Sequence, residues 1–187
     1  MSKLTYRIKK KELREILTET KKDDKGAYQV VVLGISTGLR GSDLINLKYS
    51  DLYEFDGTPH KYIYFREQKT KKNLRIPVRM DLIKTFIYSP EKFDYYLLHK
   101  KTDPTKKLHR MTIYKRLEKY SISAHSLRKT FGYDLYKVAL QQNATAAAVA
   151  METLMSLYNH TNTAVTLRYI GHEQEKKDEL FCSVSYL

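Results

Sequence analysis

The stretch "AYQVVVLGISTGLRGSDLINL", Ala27 to Leu47, decides how the rest of the chain is read. Its first half is apolar on every side from Val30 to Leu33, so it has no solvent face and reads as a buried helix. The Thr37-Gly38 pair ends that helix as a turn. Beyond the turn, Ser42 and Asp43 are placed to cap a short helix that carries Leu44, Ile45 and Leu47. Arg40 therefore sits at a junction between two helices.

Working outward, "KKKELREILTETKK" places Leu13, Ile16 and Leu17 on one stripe, and "DDKG", Asp23 to Gly26, closes this first helix. Downstream, "KYIYFREQ" and "NLRIPV" alternate with period two around a basic link. That pattern predicts a β-hairpin with Lys69 to Lys72 at its tip. From "MDLIKTFIYS" onward the pattern turns helical, because "HRMTIYKRLEKY", "SLRKTFGYDLYKVAL" and "ATAAAVAMETLMSLY" carry apolar residues at spacings of three and four. Pro90 and "TDPTKK" read as loops, and no linker, repeat or low-complexity segment divides the chain. The expected fold class is α+β, mostly α-helical, with one small antiparallel hairpin sheet, in a single domain over residues 1–187.

Composition narrows the function. The 187 residues hold 34 Lys and Arg against 21 Asp and Glu, a formal charge of +13 that suits a polyanion partner, nucleic acid first. The surplus is concentrated from Lys100 to Lys119, and Lys71, Lys72, Lys107, Arg110 and Lys115 are the candidate phosphate contacts. The single Cys182 excludes an internal disulfide framework and a cysteine-based zinc knuckle. No apolar run approaches the roughly 18 residues of a membrane span, and the basic N-terminus lacks the apolar segment of a signal peptide. These features predict a cytoplasmic, nucleoid-associated protein that engages no membrane.

Four separated pieces answer one chemical need: Arg40 in "STGLRGSDL", Lys69 in "QKTKK", His125 and Arg128 in "HSLRKTF", and His160 with Tyr169 in "LYNHTNTAVTLRYIGH". In-line displacement at a phosphodiester spreads negative charge over non-bridging oxygens, and two guanidiniums can clamp those oxygens while histidines add donors. A tyrosine with an ordinary pKa near 10 becomes a nucleophile when surrounding cations lower that pKa and orient the phenol. Lys69 can then protonate the leaving 5′ oxygen. The product is a 3′-phosphotyrosyl link, made without cofactor, metal or ATP.

In this order and spacing the pieces resemble the catalytic domain of the tyrosine recombinases, the phage integrase and Xer type enzymes, over about the whole chain. The resemblance implies that Arg40, Lys69, His125, Arg128, His160 and Tyr169 are the catalytic residues, with Asp43 supporting them three residues after the first arginine. It also implies that His125 can act as general base. The function implied is breaking and rejoining of double-stranded DNA in integration or site-specific recombination. A type IB topoisomerase and a catalytically idle DNA-binding regulator with the same fold are the alternatives.

Two departures from the family pattern stand out. Asn159 occupies the position of a family glycine, which fits a left-handed residue because Asn tolerates that region best after Gly. Lys129 stands where many relatives have a second histidine. The short lead-in to Arg40 suggests a catalytic domain without the N-terminal core-binding domain, monomeric in isolation and homo-oligomeric on DNA. Beyond Tyr169, Leu180, Phe181, Val184 and Leu187 form an apolar stripe that packs either on its own domain or on a neighbouring protomer.

Overall fold

The structure, a computed structural model, describes residues 6–69 and 71–184. Its axis is the buried stretch quoted above. Helix α1 (Lys10–Asp23) ends at Asp24, whose carboxylate accepts the Gly26 and Ala27 amides and so starts α2 (Lys25–Thr37). Val30, Val31 and Leu33 on α2 are completely buried, as a helix apolar all round requires. Gly38 ends α2 at φ 64°, and a Cβ there would lie 2.3 Å from the Phe131 ring, so both backbone and space demand glycine.

The short α3 (Gly41–Leu44) follows, with Arg40 rather than Ser42 or Asp43 at its N-cap. Asp43 does not cap it. Its side chain is buried and accepts a hydrogen bond from the Gln68 amide across the fold. The expected hairpin is present as β1 (Tyr62–Arg66) and β2 (Asn73–Pro77), antiparallel, with Ile63 opposite Ile76 and both turned to the core.

α4 (Met80–Thr85) is shorter than the apolar pattern suggested, stopping where Phe86 leaves helical geometry and is fully buried. A second antiparallel pair then appears, β3 (His99–Lys100) with β4 (Asp103–Lys107). The segment read as the loop "TDPTKK" is therefore a turn and strand, and among the described residues there are two small sheets, not one. Pro104 is tolerated because β4 pairs on one side only.

The C-terminal half is helical as expected: α5 (Arg110–Glu118), α6 (Ala124–Gln142), α7 (Ala144–Tyr158), α8 (Thr163–Ile170) and α9 (His172–Ser183). α1, α4, α5 and α6 pack around α2, and α6 also packs against α7 and α8. Leu33, Leu127 and Leu154 are fully buried, and each such side chain contributes about 1.5–3 kcal/mol. α6 runs close to its neighbours at Gly132, where a Cβ would lie 2.3 Å from the Tyr158 hydroxyl and 2.9 Å from Ile170 Cγ2. This close approach draws the end of α7 and the end of α8 together over α6.

The start of α9 is held on its own domain. Glu175 pairs with Arg7 at 3.1 Å and accepts from the Tyr133 hydroxyl, while the His172 ring meets Tyr136 edge-on at 5.1 Å. Leu180, Phe181 and Val184 further along are exposed, and Leu187 lies outside the described residues. No helix among the described residues is long and apolar enough to cross a membrane.

Candidate active site

Three caps build the site. Ser123 receives the Ser126 amide at 3.1 Å and starts α6 just before His125, leaving Arg128 one turn on. Asn159 ends α7 in the left-handed region, φ 59° and ψ 47°, which turns the chain so that His160 follows. This is the conformation that the Asn-for-Gly exchange predicts. Asn162 receives the Val165 amide at 2.9 Å and starts α8, placing Tyr169 two turns later beside His160.

Arg128 is the fixed centre. It is 3% exposed, and its guanidinium donates to Gly38 O at 2.6 Å and Leu157 O at 2.8 Å. It also lies 4.4 Å over the Tyr158 ring and hydrogen-bonds the Tyr169 hydroxyl. Burial lowers its pKa, although far from the neutral range for an arginine. Arg40 arrives from the α2–α3 junction, with Nη2 3.4 Å from Tyr158 O. Its ion-pair partner is Glu67, not Asp43. The reason is geometric: Asp43 faces inward to the Gln68 amide, where burial raises its pKa against the pull of that bond and of Arg40 and Arg128.

Tyr169 is half-buried at the meeting point. Its hydroxyl is 3.5 Å from His125 Nδ1, and its ring meets His160 edge-on at 5.2 Å. Lys129 Nζ stands 5.4 Å over the same ring, a cation–π approach. The His160 ring is fixed by Thr166, Nδ1 to Oγ1 at 3.1 Å. Burial, reinforced by the arginine charges, lowers the pKa of both His125 and His160. Both are therefore neutral at pH 7.

The phenol departs from expectation. Burial raises the Tyr169 pKa and outweighs the lowering by the Arg128 charge, the Arg128 hydrogen bond and Arg40. The cations act in the expected sense, but the cost of desolvating a phenolate outweighs them.

Five of the six predicted catalytic residues thus converge: Arg40, His125, Arg128, His160 and Tyr169. Lys69 does not join them directly. It is exposed in the turn after β1, tethered through its neighbour Gln68 to Asp43. Lys71, Lys72, Lys107, Arg110 and Lys115 are all exposed. Lys107 Nζ donates to Asn46 Oδ1 at 2.6 Å, which brings it to the end of α3. Among the described residues, no group of three or more His, Cys, Asp or Glu side chains is arranged to hold a metal ion.

Two residues that shape the site were not singled out from sequence. Tyr158 is buried, donates its hydroxyl to Arg128 O at 2.7 Å and forms the floor under Arg128. Burial raises its pKa strongly. Glu67 continues the inward phase of β1 after Ile63 and Phe65, so the period-two pattern itself marks a buried carboxylate.

Comparison with known proteins bears on the family and the fold. The phage integrase family profile matches residues 6–176. A probable integrase/recombinase of Bacillus subtilis (strain 168), YoeC, is 28% identical over 172 residues, covering 88% of this chain and 86% of that protein. Among solved structures, XerA recombinase superposes with a TM-score of 0.62 at 16% identity, covering 97% of this chain and 66% of that one. A lambda integrase dimer bound to a COC′ core site gives 0.59 at 18% identity, covering 91% and 49%. At these identities the structural likeness concerns the fold, and this chain spans about two thirds of the first structure and half of the second.

Proposed function

The chain belongs to the phage integrase family, and from that premise we propose that it breaks and rejoins double-stranded DNA at specific sites through a 3′-phosphotyrosyl intermediate. The observation that carries this reading is the Tyr169 hydroxyl, held between a neutral histidine and a buried guanidinium at the meeting point of α6, α7 and α8.

In the proposed reaction Tyr169 Oη attacks the scissile phosphorus and its proton passes to His125 Nδ1. Burial keeps that imidazole in its basic form. The 3.5 Å separation is long for a hydrogen bond and shortens when substrate closes the site. The Arg128 hydrogen bond to the same hydroxyl stabilises the phenolate that burial alone disfavours.

Arg40, with Arg128 and His160, faces the charge that develops on the non-bridging oxygens. As the bond from phosphorus to the 5′ oxygen breaks, Lys69 gives that oxygen a proton when the hairpin turn closes over DNA. A 5′ hydroxyl then attacks the phosphotyrosyl link and reverses each step. One ester replaces another throughout, so no external energy source is needed.

Asp43 holds the hairpin turn in place for this sequence of events. Lys71, Lys72, Lys107, Arg110 and Lys115 are the proposed phosphate contacts, supplying affinity and register without sequence readout. Assembly as a homo-oligomer on DNA is part of the proposal, as in the lambda integrase dimer.

The test is incubation with a nicked duplex whose short 5′-hydroxyl fragment diffuses away after cleavage. A DNA–protein adduct that survives denaturant supports the reading. Bound DNA without adduct identifies an idle DNA-binding protein instead.

A further inference from the structure

Arg40 is held by a carboxylate that the proposed reaction does not consume. Glu67 is 2% exposed, Arg40 is 19% exposed, and the two form an ion pair. Glu67 also closes the hairpin turn through its backbone, its amide donating to Lys72 O at 2.9 Å and its carbonyl accepting the Lys71 amide at 3.0 Å. One residue on, the Gln68 amide donates to Asp43 Oδ1 at 3.3 Å, and the Asp43 amide in turn donates to Arg40 O at 2.8 Å. The turn that presents Lys69 and the junction that presents Arg40 are therefore joined twice within two residues.

We propose that Glu67 is a positioning residue: its carboxylate fixes the Arg40 guanidinium beside Tyr158 and Tyr169 and couples it to the turn that carries Lys69. The proposal rests on the DNA-cleaving reading given above. Its physical basis is a conflict of signs. A site that must attract a phosphate loses positive potential by keeping a carboxylate next to one of its guanidiniums, and a buried carboxylate is itself costly.

What the carboxylate supplies is geometry. Among the described residues the other polar contact of Arg40, to Tyr158 O, is long at 3.4 Å and holds one nitrogen only. A guanidinium that must present a planar fork to two oxygens needs its remaining donors anchored. The orientation is set before DNA arrives, so none of the binding energy is spent on ordering the side chain.

Binding and chemistry should then respond in opposite directions. Glu67→Gln keeps the shape and removes the charge. It should bind duplex DNA at least as tightly as the wild type at fixed salt, while single-turnover adduct formation at saturating protein slows about tenfold or more, the scale of a misplaced catalytic group. Glu67→Asp, which keeps the charge with a shorter reach, should fall between. Arg40→Ala should be slower still, and adding Glu67→Gln to it should cost little more, because the residue acts through Arg40.

A second readout is independent of cleavage: in 15N-labelled free protein the Arg40 guanidinium should rotate slowly in the wild type and rapidly in Glu67→Gln. The proposal is overturned by a Glu67→Gln protein that cleaves at or above the wild-type rate, or by rate and affinity falling together with the thermal midpoint. Multiplicative effects in the double variant, or an Arg40 guanidinium that rotates freely in the wild type, overturn it as well. A wild type that forms no adduct but shows a slowed Arg40 guanidinium, released by Glu67→Gln, sinks the DNA-cleaving reading and leaves the positioning role of Glu67 standing.

Discussion

Replacing Gly132 by alanine sets two effects of similar size against each other, and the structure says which wins. In an open helix the change would be favourable by about 1 kcal/mol, the propensity difference between the two residues. Here the new methyl would lie 2.3 Å from the Tyr158 hydroxyl, 3.0 Å from Tyr158 Cε2 and 2.9 Å from Ile170 Cγ2. Both neighbours are buried, and the Tyr158 hydroxyl is committed to Arg128 O. Neither can rotate away into solvent.

Relief to ordinary contact requires shifts of roughly 1 Å, and overpacking of this kind costs about 1–3 kcal/mol. Loss of the Tyr158 hydrogen bond adds about 1 kcal/mol. The net expectation is a destabilisation of about 1–3 kcal/mol after the propensity gain is subtracted. The same shift moves the floor under Arg128 and the residue next to Tyr169, and a displacement of about 1 Å at a reacting group costs on the order of a hundredfold in rate. Urea unfolding and single-turnover adduct formation on a nicked duplex measure the two quantities. A Gly132→Ala protein that is stabilised by the propensity gain and cleaves at the wild-type rate would refute the packing argument.

Other substitutions and conditions give equally direct outcomes. Tyr158→Phe should lower stability by about 1 kcal/mol through the buried acceptor it leaves, yet still form adduct, because that hydroxyl faces Arg128 O and not the site opening; complete loss of adduct would contradict its role as floor. Arg128→Lys should abolish cleavage beyond about a hundredfold, since one ammonium cannot satisfy Gly38 O, Leu157 O and Tyr169 together; near-normal rates would contradict the clamp. Cleavage should be unchanged by EDTA, because guanidiniums supply the charge that metal ions supply elsewhere, and rescue of a chelated sample by magnesium would point to other chemistry.

Because the folded pKa of His125 is depressed below about 6.5, its basic form persists at neutral pH, and kcat/KM should fall only as pH drops through that lower value. The His125→Gln protein should lose this acid limb. The same depression, shared by His160 and His172, means that the unfolded chain takes up protons first as pH falls below about 6.5. Stability from these groups is thus complete above that pH and lost on acidification, which thermal unfolding across the range will show.

Much of this arrangement was legible in the chain because it depends on local signals. A helix with no polar face, a Thr-Gly stop, alternating strands about a lysine turn, and apolar residues at spacings of three and four through the C-terminal half are all short-range features. They place Arg40 at a helix junction and Arg128 on a helix, while the grouping of His125, His160 and Tyr169 and the left-handed Asn159 follow from the family resemblance. What remained hidden is set by long-range packing.

The partner of Arg40 is 27 residues away in sequence at Glu67, a separation that no local pattern reads. The β4 strand was masked by Pro104, which reads as a breaker but is harmless on a strand paired on one side. The raised pKa of Tyr169 depends on how deeply α8 is buried, and cation counting along the sequence carries no information on depth.

The most direct test of the central claim is peptide mapping of the adduct trapped on a nicked duplex. The account predicts a single modified residue, Tyr169, joined to a 3′ phosphate, and no denaturant-resistant adduct from Tyr169→Phe. A 3′ phosphate on Tyr158 or on any other of the 16 tyrosines, or undiminished adduct from Tyr169→Phe, would contradict it.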